Sequence, residues 1–144
     1  MSILAIDAGL ACGLACHSQG KILWYESRNF AQLGDLKRAV PAFVERCPEL
    51  GLIIIEGAGR RARAWLEEAR KREIPYRVVS AEDWRPFFFN PSEVQDFKGK
   101  ARQKAGQLLQ TGRPINHNAA EAILLAWWAA STGAGGPDGH SGIA

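Results

Sequence analysis

Three carboxylates in this 144-residue chain stand where a fold could gather them. Asp7 ends the apolar run "SILAID" and Glu56 ends "LGLIIIE", and each is followed by small residues. The third, Glu121, lies in "HNAAEAILLAWW", three positions after Asn118 and four after His117. On a helix those offsets put all three side chains on one face. A carboxylate at the end of a buried strand is costly unless something binds it. If the two strands lie side by side, Asp7 and Glu56 emerge together at one sheet edge, and the helix can bring Glu121 to them. Such hard oxygen ligands, with no base beside them in the sequence, suit Mg²⁺ or Mn²⁺. Two ions about 4 Å apart activate a water and stabilise the leaving oxygen in phosphodiester cleavage. The expected metal ligands are Asp7, Glu56, Asn118 and Glu121; the expected catalytic residues are Asp7, Glu56, His117 and Glu121.

Each part has a simpler explanation on its own. A strand-end acid is ordinarily solvated. Asn118-x-x-Glu121 is also the pattern of a helix amino-terminal cap with a reciprocating glutamate. His117 alone reads as a surface or capping residue. The conjunction of strand-end Asp, strand-end Glu and late-helix Glu is what points to a metal site.

The elements needed to position these residues can be read from periodicity. Ile3 to Ile6 is a buried strand, and the segments 13–18 and 21–27 flank Gln19-Gly20 as a hairpin. Leu33, Leu36, Val40, Phe43 and Val44 recur at helical spacing, with Pro41 as a point where that helix could kink. The Leu-Ile-Ile-Ile run before Glu56 is a second central strand. A charged helix over 60–73, a strand over 76–79, an irregular stretch over 84–97 and helices over 98–110 and 117–130 complete the order. A strand meander leading into alternating strands and helices predicts an α/β mixed five-stranded sheet, three antiparallel strands first, with helices on both faces. One domain over 1–131 and a flexible Gly-rich tail over 132–144 are expected.

Composition narrows the function classes. With 47% hydrophobic residues the chain can build a core without disulfides, and its three cysteines form no CxxC pair. We read them as reduced thiols of a cytoplasmic protein with no leader peptide. The longest apolar stretch, 119–130, is interrupted by Glu121 and is too short to span a bilayer. Net charge is only +3, but its placement is informative. Lys98, Lys100, Arg102 and Lys104 fall within seven residues, and Arg60 and Arg61 lie just beyond Glu56. These six are the expected nucleic-acid contacts, reaching backbone phosphates. "WRPFFF" (84–89) reads as core or dimer packing, with a platform for unstacked bases as the other use.

Taken together, "IDAGLACG", "LIIIEGAG" and "HNAAEAILLA" resemble the first strand, the glutamate-bearing strand and the last helix of RuvC-type Holliday junction resolvases, within the ribonuclease H-like superfamily and closest to short phage-type members. The resemblance spans the chain to about residue 131. It implies a homodimer that resolves four-way DNA junctions by paired symmetric nicks, using two Mg²⁺ ions per site with Mn²⁺ able to substitute. It also implies that the lysine-bearing segment before the last helix lines the DNA. Ala8 stands where the family favours proline, and Glu121 where bacterial members use aspartate. Asn118 stands where the family has Asp or His, so the fourth ligand is either His117 or Asn118. Two alternatives follow: a junction-binding protein that cuts weakly or not at all, and a ribonuclease H-like enzyme acting on RNA–DNA hybrid. The glycine turn also resembles the phosphate loop of actin-like sugar kinases. Ala11 and Cys12 replace the hydroxyl residues that loop needs, and the chain lacks the length for a second lobe.

Overall fold

The computed structural model describes residues 1–90 and 96–133. Among them are the strands β1 (Ser2–Asp7), β2 (Ala11–Ser18), β3 (Lys21–Asn29), β4 (Leu50–Glu56) and β5 (Tyr76–Val79). The helices are α1 (Leu33–Glu45), α2 (Gly59–Lys71), α3 (Ala81–Phe88), α4 (Phe97–Leu108) and α5 (His117–Thr132). The strands form one sheet in the order β3-β2-β1-β4-β5. β1, β2 and β3 are antiparallel neighbours, whereas β4 pairs with β1, and β5 with β4, in parallel. This is the mixed five-stranded α/β sheet that the sequence predicts, with helices on both faces.

Strand alternation sorts the core into two layers. Leu4 and Ile6 of β1 join Leu14, Cys16, Ile53 and Ile55 beneath the buried residues of α1 and α2. Ile3 and Ala5 join Ala15, Leu52 and Ile54 beneath Trp84 of α3, Ala101 of α4 and the buried residues of α5. Both faces of β1 and β4 are therefore covered, which is why these strands read as unbroken apolar runs. Asp7 continues the Ile3–Ala5 series and Glu56 the Leu52–Ile54 series. The period of two thus aims both carboxylates at the α5 side of the sheet.

Close approach of α5 completes the placement. The helix buries Ala119, Ala120, Ala122, Ala126 and Ala129, so little side chain holds it off the sheet. On β2, Gly13 pairs in register with Asp7, and a Cβ at Gly13 would stand 1.8 Å from the Asn118 carbonyl oxygen. The absent side chain at this position lets the first turn of α5 settle beside Asp7.

Three expectations need correction or adjustment. Residues 84–88 are not irregular: they are the body of α3. Pro86 and three consecutive phenylalanines hid the helix, although Ser80-x-x-Asp83 signals its start, where the Ser80 N–H donates to Asp83 Oδ2 at 2.7 Å. Pro41 does not split α1, which runs unbroken through it. Helix α5 continues to Thr132 and closes at Gly133, so the expected tail beyond residue 133 lies outside the described residues. Cys12, Cys16 and Cys47 are free and buried, as expected. No helix among the described residues is long and apolar enough to cross a membrane.

Replacing Gly13 by Ala is expected to destabilise the protein by about 2–3 kcal/mol, since the helix start must move to admit a methyl group. The shift in the urea midpoint measures it, and an unchanged midpoint would show that α5 does not rest on this glycine.

Candidate active site

Asp7 and Glu56 are in-register partners on the parallel pair β1–β4. The Ala8 N–H extends this ladder past the carboxylates by donating to the Glu56 carbonyl at 2.9 Å. The loops beyond the two strands also meet: Gly57 has φ 137°, and a Cβ there would lie 3.0 Å from the Ala8 carbonyl oxygen. Both strand ends are thereby locked together, with their acids side by side.

Glu121 reaches the same place from α5 and is only 6% exposed. Its Oε2 pairs with His117 Nε2 at 2.9 Å, one turn earlier on the helix. Its Oε1 accepts from Arg85 Nη2 at 3.0 Å. Of the two candidate fourth ligands, His117 is thus the one in contact with Glu121. Asn118 enters the helix as a backbone donor, its N–H giving to Asn116 Oδ1 at 2.9 Å. The capping interpretation of Asn118-x-x-Glu121 is corrected accordingly. Asn116 caps α5, accepting from Asn118 and Ala119, and Glu121 is released for the site.

Two site residues escaped the sequence. Trp84 is fully buried, and its indole Nε1 donates to Glu56 Oε1. Arg85, its neighbour on α3, stacks on the Phe97 ring at 3.9 Å from the centroid and holds Glu121. Both belong to "WRPFFF": Trp84 packs in the core as that segment's apolar character predicts, and it also meets Glu56. The Ser80-x-x-Asp83 cap is the sequence signal that places Trp84 and Arg85 side by side in the first turns of a helix directly after β5.

The electrostatics reflect this crowding. The Asp7 carboxyl is pushed up from 3.8 to about 7, chiefly by burial and then by the charges of Glu121 and Glu56, with Arg85 opposing. Glu56 is raised as well, first by burial, while the Trp84 hydrogen bond works the other way. A site that holds its own proton so tightly has unbalanced negative charge, and the donors are carboxylate oxygens with an adjacent imidazole. This set suits a hard divalent cation. Among the described residues no three His, Cys, Asp or Glu side chains are already grouped as ligands. Glu56 accepts from Trp84, and the two oxygens of Glu121 are met by His117 and Arg85.

The basic candidates divide into braces and surface charges. Arg61 donates to the Phe30 carbonyl at 2.6 Å, tying α2 to the segment between β3 and α1. Arg102 Nε donates to the Ile115 carbonyl at 2.7 Å, tying α4 to the lead-in of α5. Arg60 and Lys98 are exposed, and Lys100 and Lys104 are half-buried on α4.

This sheet, with its acids at the ends of β1 and β4 and on the last helix, is a ribonuclease H-like fold. The particular likeness is to RuvC. The structure titled "T. thermophilus RuvC in complex with Holliday junction substrate" superposes with a TM-score of 0.71 at 16% identity, covering 92% of this chain and 96% of that one. A second Thermus thermophilus RuvC structure gives 0.69 at 14% identity, over 92% and 97%. No family profile and no curated protein sequence matches the chain. The resemblance drawn from the sequence is therefore upheld at the level of fold.

The raised Asp7 carboxyl makes the metal-free protein sensitive to pH. Folded chains keep the Asp7 proton up to about pH 7, whereas unfolded chains lose it near 3.8. Between those values the native state binds more protons, so stability in EDTA falls as pH rises through this window. Asp7→Asn is expected to flatten that slope and to raise the melting temperature at pH 8 in EDTA, with little change at pH 4. Thermal unfolding at both pH values checks it. An unaltered slope in the variant would move the charge strain away from Asp7.

Proposed function

We propose that this chain is a divalent-metal-dependent endonuclease that resolves four-way DNA junctions by paired nicks, acting as a homodimer. The observation that carries the proposal is the convergence of Asp7, Glu56 and Glu121 on one face of a RuvC-like sheet. One of the neighbouring structures holds a Holliday junction substrate, which supports branched DNA as the ligand class. Two symmetric cuts across a junction require two sites related by a two-fold axis, and that is the reason for proposing a dimer.

Mg²⁺ or Mn²⁺, two ions per site, would supply a metal-activated water and charge stabilisation for the leaving oxygen. The residues that would hold them are Asp7, Glu56 and Glu121, with His117 or Asn118 as the fourth ligand. Asp7, in register with Glu56 on the neighbouring strand and within reach of the Glu121 charge, would be among the residues that hold the ions. Trp84 fixes the orientation of the Glu56 carboxylate through one oxygen, leaving the other for a ligand role. His117 steadies Glu121 from one turn below. Around this acidic centre, Arg60, Arg61, Lys98, Lys100, Arg102 and Lys104 would engage backbone phosphates, a contact that fixes register and reads no sequence. The products would carry a 5′-phosphate and a 3′-hydroxyl.

One observation favours a second reading. Asn118 offers a neutral amide where a resolvase has an acid or histidine, so the chain could bind junctions without cutting them. A hybrid-cleaving ribonuclease is the remaining alternative on this fold.

The deciding experiment is cleavage of a labelled four-way junction in Mg²⁺ and in Mn²⁺, beside linear duplex and RNA–DNA hybrid. Paired nicks on the junction are expected, with Asp7→Asn losing at least about a thousandfold in rate while junction binding persists. Junction binding without nicks would establish the binder, and preferential hybrid cleavage would establish the ribonuclease.

A further inference from the structure

Arg85 has a place in this site that the proposed nuclease chemistry does not itself require. It enters from α3, and its Nη2 meets Oε1 of a deeply buried glutamate whose other oxygen faces His117. Burying a carboxylate among two other acids is costly without a counter-charge, and Arg85 is the cation that supplies one. Its guanidinium also acts on the charges of both Asp7 and Glu56, so its influence reaches all three acids.

The contact is built to be broken as well as made. Arg85 grips Glu121 through one hydrogen bond rather than the bidentate fork arginine usually offers a carboxylate. Its Nε is buried and has no hydrogen-bond partner among the described residues. The side chain is 37% exposed, and the guanidinium sits over the Phe97 ring, 3.9 Å from its centroid. Beside it a cleft of about 300 Å³ runs between α3 and α4, with Ala81, Glu82, Arg85, Pro86 and Phe89 on its walls. Glu82 is three residues before Arg85 on the same helix, at the spacing of a helical ion pair. The guanidinium therefore has open space beside it and, on its own helix, an acid whose Oε2 now accepts from the Ser80 hydroxyl at 3.3 Å.

We propose that Arg85 is a resident counter-cation of the site, which a divalent ion must displace from Glu121 in order to bind. Without metal it offsets the acids and holds Glu121 in position. With metal, Glu121 exchanges a guanidinium for the ion, and Arg85 turns into the cleft toward Glu82. In the metal-free protein the guanidinium holds Oε1 of Glu121 and the indole of Trp84 holds Oε1 of Glu56. The proposal rests on the metal-site assignment of Asp7, Glu56 and Glu121, and it adds a competitor to it.

The test is Mn²⁺ binding to the full chain, followed by electron paramagnetic resonance of the free ion, alongside melting curves in EDTA. Removing one charge-assisted contact that the metal must break should tighten Mn²⁺ binding by about tenfold in Arg85→Met. The same variant should melt earlier than wild type in EDTA, and that gap should close at saturating Mn²⁺. Phe97→Leu keeps the charge but removes the stacking surface, and a smaller tightening is expected; it also serves if Arg85→Met does not fold. Unchanged or weakened Mn²⁺ binding in the variants, with wild type binding normally, would overturn the proposal and leave Arg85 as a structural brace. Absence of Mn²⁺ binding in wild type and variants alike would instead remove the metal site itself, and the counter-cation role with it.

Discussion

Mutual repulsion of three carboxylates, brought close and partly removed from water, is the constraint around which this structure is arranged. Burial first, with the like charge of the neighbouring acids adding to it, raises the Asp7 and Glu56 carboxyls. The fold meets it with directed donors. An indole N–H serves Glu56, while an imidazole and a guanidinium divide the two oxygens of Glu121. Asp7, with the charges of both other acids acting on it, has its carboxyl raised to about 7.

Holding the acids there is the work of backbone, not side chains. Parallel pairing of β1 with β4 makes Asp7 and Glu56 register partners, and the two-residue period aims both at the same face. The glycine opposite Asp7 and the small residues of α5 allow the helix to lie close enough for Glu121 to reach them. The two apolar layers, one beneath α1 and α2 and the other beneath α3, α4 and α5, fix the sheet from both sides. Rigid support of this kind is what positions reactive groups within the tolerance that chemistry needs.

Charge is segregated outside this centre. Arg61 and Arg102 spend hydrogen-bonding capacity on main-chain carbonyls and tighten the joints that lead into α1 and α5. A guanidinium fixed in this manner still carries its charge, so bracing and phosphate attraction are compatible. The exposed Arg60 and Lys98 extend the positive surface.

The order of elements apart from α3, the sheet type and the strand-end acids were legible in the residues, because unbroken Ile/Leu runs and period-3.6 patterns report burial, and burial is local along the chain. Glu121 could be singled out for the same reason, as the lone acid in an apolar helix. The sequence also carried the Ser80-x-x-Asp83 start of α3, but three phenylalanines and a proline obscured it. What only the tertiary structure decided is who neutralises whom. Trp84 meets Glu56 and Arg85 meets Glu121 across 28 and 36 residues of chain, and Asn116 rather than Asn118 closes the helix. Periodicity assigns a side chain to a face; which side chain stands opposite depends on how separate elements pack, and no local pattern encodes that.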